Sequence, residues 1–230
     1  MIPIKDTVRS RSFPLVNWLL IAINAVVFFF ELGLSDGQLN RLIFTYGLVP
    51  AGIRLAEPIT WIPFVTHMFL HGGWLHFLGN VWSLFIFGDN IEDRLGSGRY
   101  LLFYLLGGFA AGGLQSFIDP ASQIPAIGAS GAIAAVMGAY LLMFPRSRVI
   151  TLIPVFILPW FVEIPAILFL GFWFISQLFS GLLALAPAGA VGAGGVAWWA
   201  HIGGFLFGLL FALPFRPRRV RTYADEYYPW

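Results

Sequence analysis

The chain contains four histidines, and three of them share one short segment. His67, His71 and His76 fall in HMFLHGGWLHFLGN, while His201 stands alone in AWWAHIGGFLFG. Ser130 opens the apolar run GASGAIAAVMGAYLLMF at 128–144. A serine hydroxyl held against an imidazole is the minimal activated nucleophile, the histidine taking the proton as the oxygen attacks a carbonyl. Acyl transfer also needs donors aimed at the developing oxyanion. His76 and Asn80 are four apart and so share one helix face. The backbone N–H of Ser130, at a helix N-terminus, is a further free donor. No Asp or Glu lies near Ser130 or His201 within its own run, so this pattern describes a dyad rather than a triad. Each residue also has a plainer reading: Ser130 as packing material, His201 as a satisfied buried histidine, and Asn80 as interhelical hydrogen-bonding glue.

The elements that must position these groups are membrane helices. Of the 230 residues, 59% are hydrophobic and only 10% are charged, with mean hydropathy +0.82. A soluble domain of this length could not hide so much apolar surface. Cysteine is absent, which excludes disulfides and thiol chemistry. The formal charge of +2, with basic residues dispersed between apolar runs, argues against nucleic acid as a partner. Apolar runs near 14–32, 73–90, 100–117, 128–144, 163–185 and 197–214 predict six transmembrane helices. The stretch VITLIPVFILPWFV at 149–162 carries Pro154 and Pro159 and is expected to be an interfacial or re-entrant piece. Glu163 is expected to be a solvated carboxylate at the start of the fifth helix.

The fold class expected is therefore all-α and polytopic. It comprises a cytoplasmic N-terminus at 1–13, a six-helix membrane domain at 14–214 and a basic cytoplasmic tail at 215–230. Lysine and arginine set this orientation. Eleven of the thirteen fall in residues 1–13, 88–100, 145–149 and the tail, and the alternate loops hold only Arg41 and Arg54. The positive-inside rule then puts both termini in the cytoplasm. No cleavable signal is evident before the first run, and the short termini favour a bacterial inner (plasma) membrane. The arginines of the tail are chiefly an orientation signal, with anionic lipid as a secondary partner. The second, fourth and sixth spans all begin on the outer face. Ser130, His201, His76 and Asn80 then fall within roughly 5–12 Å of the outer boundary. The sixth span carries small residues every four positions (Ala200, Gly204, Gly208, Ala212), and the fourth has a matching face of Ser130, Ala134 and Gly138 beside Gly131 and Ala135. Such stripes let helix backbones approach closely and would bring the imidazole to the hydroxyl.

Two other chemistries compete. Imidazoles suit Zn or Cu, but the spacings of His67, His71 and His76 do not hold one helical face, and Gly72–Gly73 interrupts them. No metal or other cofactor is expected. A transporter usually shows internal repeats or mid-bilayer charge, and neither is evident.

From about 14 to 214 the chain resembles the rhomboid intramembrane serine proteases. The motifs are His71…His76-x-x-x-Asn80 in the second span, Gly128-x-Ser130-Gly131 in the fourth and Ala200-His201-x-x-Gly204 in the sixth. Each alone is a weak signal, and the three together in order and depth are a strong one. The resemblance implies Ser130 as nucleophile, His201 as general base, and His76, Asn80 and the Ser130 N–H as the oxyanion site. It implies support from His71, Gly128, Gly131 and Gly204, with His71 holding the first loop against the second span. It also implies a membrane-hugging loop at 33–66 and a fifth span that gates lateral access. The substrates would be transmembrane helices cut near the outer membrane face, in contact with the lipid bilayer and without metal or nucleotide. The different-class alternative is a non-proteolytic rhomboid-like protein that binds or chaperones membrane helices. Two positions depart from the family pattern. Ala134 stands where many members carry an aromatic over the catalytic histidine, and Trp61-Ile62 replaces the usual Trp-Arg of the first loop.

Overall fold

The computed structural model describes residues 2–155, 158–185 and 195–215, so the arginines expected to mark the tail (Arg216, Arg218, Arg219 and Arg221) lie outside the described residues. The elements run β1 (Ile2–Asp6), α1 (Leu15–Leu32), α2 (Asp36–Tyr46), α3 (Pro63–Thr66), α4 (Trp74–Leu95), α5 (Ser97–Ile118), α6 (Ser130–Met143), β2 (Arg148–Val155), β3 (Leu158–Pro165), α7 (Ala166–Ala184) and α8 (Trp198–Ala212). Six of the helices (α1, α4, α5, α6, α7 and α8) occupy the six predicted spans. Among the described residues, four segments are long and apolar enough to cross a membrane by themselves: α1, α5, α7 and Trp198–Phe215. The other two differ for separate reasons. The last turns of α4 carry Asp89, Glu92, Asp93 and Arg94, and α6 has only 14 residues.

The shortness of α6 follows from its position. Every residue from Gly131 to Tyr140 is buried, so its surroundings are protein rather than lipid and it need not match a bilayer thickness. Small residues make that burial possible. A Cβ on Gly138 would stand 2.2 Å from the carbonyl oxygen of Phe205, and one on Gly208 2.0 Å from that of Ala135. By contrast α1 and α7 leave Val26, Phe29, Phe30, Phe172, Ile175 and Phe179 exposed, as lipid-facing helices do.

Buried polar contacts fix how α1 meets α4. The Glu92 carboxylate accepts the free first-turn N–H groups of Val16 and Asn17, at 3.0 and 2.7 Å. Asn17 in turn donates to the Leu84 carbonyl and accepts from the Tyr100 hydroxyl. At the opposite end of the bundle, Leu48 and Ala126 exchange backbone hydrogen bonds at 2.9 and 2.8 Å, tying the loop after α2 to the loop before α6.

The stretch 149–162, expected to be interfacial or re-entrant, is extended in its described residues. It forms most of an antiparallel hairpin, β2 with β3, to which β1 adds on the other side in the order β1-β2-β3. The all-α description therefore omits one small sheet. Val149, Ile150, Thr151, Ile153, Trp160, Phe161 and Val162 are β-branched or aromatic and suit a pleated surface. Pro154 and Pro159 face each other near the hairpin tip, beyond the reach of β1, whose pairing ends at Leu152. There the missing N–H donors cost the sheet little. Glu163 lies on β3 rather than at a helix start, 3.6 Å from Arg148 on the neighbouring strand.

Candidate active site

Ser130 is the first residue of α6, and the loop before it is shaped by Gly128, whose φ of +117° is open to glycine and strained for other residues. The Gly128 N–H donates to the His67 carbonyl at 2.8 Å. His67 is itself buried, with Nδ1 2.7 Å from the Pro63 carbonyl. Burial pushes the His67 imidazole down to about 4, so it is neutral at physiological pH and serves as loop structure.

Across from the serine, α8 presents His201 with Nε2 2.8 Å from Ser130 Oγ. The approach depends on the absence of side chains. A Cβ on Gly204 would stand 2.0 Å from the Gly131 carbonyl oxygen, and one on Gly131 2.6 Å from Ala111 Cβ. The N-terminal turn of α8 is held from α5, where Gln115 Oε1 accepts the Ala200 N–H at 3.2 Å.

His76 and Asn80 reach the same place from α4. A Cβ on Gly128 would lie 2.4 Å from His76 Nε2 and 3.5 Å from Asn80 Nδ2, so both side chains face the backbone two residues before Ser130. Asn80 is buried, and its Nδ2 has no hydrogen-bond partner among the described residues. A donor kept buried and unused costs about 1–3 kcal/mol and calls for an explanation. His71 lies behind His76, the two ring centroids 5.2 Å apart. Its backbone N–H donates to both oxygens of Glu31 on α1, at 3.1 Å each. Phe28 of α1 meets its ring edge-on. His71 thus joins α1, the first loop and the start of α4.

The structure brings together Ser130 with His201, and His76 and Asn80 with Gly128. Gly131 and Gly204 lie in the α6–α8 contact, and His71 is one layer back. Ser130, His201 and His76 are each partly buried. The three clustered histidines do not converge, and among the described residues no group of three or more His, Asp or Glu side chains could hold a metal ion.

Three residues not anticipated from the sequence complete the surroundings of His201. Gln177 on α7 places Oε1 2.8 Å from His201 Nδ1. Trp173, one turn earlier, sets its ring 5.8 Å from the imidazole at 36°, so an aromatic neighbour comes from α7 where α6 offers Ala134. Gln115 is the third, through its bond to Ala200 N–H. The available signal was polarity: Gln177 is the one amide in α7, a mostly apolar span, and such residues need partners.

The Rhomboid domain family model matches residues 58–218, most of the chain. The chain is 35% identical over 135 residues to the rhomboid-family protein YdcA of Bacillus subtilis, covering 58% of this chain and 64% of that one. It is 35% identical over 138 residues to the rhomboid protease GluP of the same organism, covering 59% and 26%. It is 28% identical over 215 residues to the mitochondrial presenilin-associated rhomboid-like protein A of Danio rerio, covering 83% and 51%. The matched regions span less than two thirds of each of these relatives. With its helical architecture, its apolar spans and the extent of the family match, this chain belongs to the rhomboid family.

Proposed function

We propose that the protein is an intramembrane serine endopeptidase that cleaves transmembrane helices of other membrane proteins near the outer membrane face. The observation that carries this reading is the 2.8 Å approach of Ser130 Oγ to His201 Nε2 between two membrane helices. Ser130 is the nucleophile. His201 takes its proton as Oγ attacks the scissile carbonyl, then gives that proton to the leaving amine. The tetrahedral oxyanion is received by Asn80 Nδ2, His76 and the Ser130 N–H. The Asn80 donor supports this, because no group among the described residues occupies it and it is free to meet the charge as it appears. A water molecule then attacks the acyl-enzyme, His201 accepting its proton and returning it to Ser130 Oγ, and the acyl group is released as the acid. A peptide bond within a helix is hidden by its own hydrogen bonds, so helices weakened by Gly or Pro are the expected substrates.

The positive-inside arrangement supports cytoplasmic termini with the site toward the outer face, and the Bacillus subtilis relatives favour a bacterial plasma membrane. The test is cleavage of a single-span substrate by the purified protein in detergent, beside Ser130→Ala and His201→Ala. Cleavage by the parent and by neither variant is expected. A folded parent that cuts no substrate in several lipids overturns the reading in favour of a helix-binding role, and cleavage that survives Ser130→Ala overturns the mechanism.

A further inference from the structure

The imidazole of His201 has two nitrogens, and a dyad uses only one. Nε2 faces Ser130 Oγ and must be unprotonated to accept its proton, so the ring proton must sit on Nδ1. In a Ser-His pair without a carboxylate, something else has to hold that proton and the ring plane. At Nδ1 the structure places the side chain of Gln177, which is buried.

An amide has two ends of similar shape and opposite chemistry, so its orientation must be read from its partners. The nitrogen end of Gln177 lies 3.3 Å from the Trp173 carbonyl and 3.0 Å from Ser176 Oγ. The Ser176 hydroxyl is already committed as a donor to that same carbonyl, at 2.6 Å. Turning the amide over would set its oxygen against the Trp173 carbonyl oxygen and against a hydroxyl with no proton to offer. Oε1 therefore faces His201, and an oxygen can only accept there. The chain of consequences is fixed: the Trp173 carbonyl orients the Gln177 amide, Oε1 takes the Nδ1 proton, and Nε2 is left as the base.

We infer that Gln177 is a positioning residue for His201, selecting the tautomer and ring plane that let it act as general base, in place of the carboxylate of a triad. This rests on the proteolytic reading above. It also gives α7 a part in the chemistry. The buried positions of α7 beyond its first residue are Leu170, Gln177 and Gly181, and Gly181 lies against Trp198, Trp199 and Ile202 of α8. The amide thus sits on the one packed stripe of an otherwise lipid-facing helix. Displacing α7 outward would remove the acceptor from Nδ1, so the base is set only while α7 is docked.

The experiment combines kinetics with nitrogen NMR on protein labelled with 15N-histidine, the His201 signals being those lost in His201→Ala. In the parent, Nδ1 is expected to be protonated and Nε2 bare. Gln177→Leu, similar in volume but without an acceptor, is expected to lose that tautomer preference. Its kcat should fall about 10²-fold, at the lower end of general-base assistance, with KM nearly unchanged. Gln177→Glu returns an oxygen to Nδ1, and a protonated carboxyl in this buried place can donate to the Trp173 carbonyl as the amide nitrogen does. Both the tautomer and most of kcat should recover. A parent whose His201 carries its proton on Nε2 overturns the inference whether or not any substrate is cut. So does Gln177→Leu with unaltered kcat. Absence of cleavage by the parent, with Nδ1 protonated and the preference lost in Gln177→Leu, removes the protease reading alone.

Discussion

Asn80 shows how the site stores what it needs for chemistry. Its side-chain nitrogen is buried and unpartnered, a state that folding alone would not favour. Around it, Gly128 has no side chain, and a Cβ there would overlap His76. The bare Gly128 backbone leaves room for the His76 ring beside the idle Asn80 donor, so both side chains face the loop just before Ser130. Residues held ready in this way trade stability for function. Asn80→Ala should accordingly leave the thermal midpoint unchanged or slightly higher, because it deletes an unsatisfied group. The same substitution should lower kcat by about 10²–10³-fold, as loss of one oxyanion donor does. Calorimetry and cleavage rates on one preparation check both halves, and a large loss of stability with little loss of rate would return Asn80 to a structural role.

At the scale of elements, helix contact depends on backbone meeting backbone. Gly208 and Gly138 face carbonyl oxygens of the opposing helix, which cannot rotate aside as a side chain can. Gly208→Ala must push α8 from α6, costing about 1–3 kcal/mol as overpacking does, and the shift is carried toward the Ser130–His201 pair. Gly113 on α5 has nothing within 4 Å of its missing Cβ, so Gly113→Ala should be near neutral. Thermal midpoints and cleavage rates of the two variants should separate clearly. These faces were legible in the sequence, since a small residue every four positions needs only counting. So were six helices, since the apolar runs end within a few residues of them apart from the polar extension of α4. The hairpin was not legible. Short apolar runs with proline fit several structures equally, and only pairing with the distant residues 2–6 singles out a sheet. Gln177 was hidden for a related reason: its partner is 24 residues away in sequence, and no local pattern links them.

At the scale of the whole molecule, the polar groups divide between two ends. One end holds Ser130, His201, His76 and Asn80. The other holds the sheet and a cluster around Asp6, which α4 reaches at Asp89, thirteen residues or roughly 20 Å along the helix from His76. Asp6 accepts from Asn90 Nδ2 at 2.9 Å and from the Tyr140 hydroxyl of α6, with the Asp89 carboxylate as its charged neighbour. Burial, with a smaller contribution from Asp89, raises its carboxyl from 3.8 to about 6. A carboxyl raised on folding binds its proton more tightly in the folded chain. Its contribution is therefore full below about pH 4 and is lost as pH rises through about 6. The docking of β1 onto β2 should thus weaken between pH 5 and 7, seen as faster hydrogen exchange in residues 2–6 than the change in intrinsic rate explains. Asp6→Asn keeps the shape without the charge and should flatten that dependence, with greater protection of the strand at pH 7.5. Because the cluster lies far from Ser130, cleavage by Asp6→Asn should match the parent at both pH values. A parallel change in rate would mean that the sheet and the site move as one body.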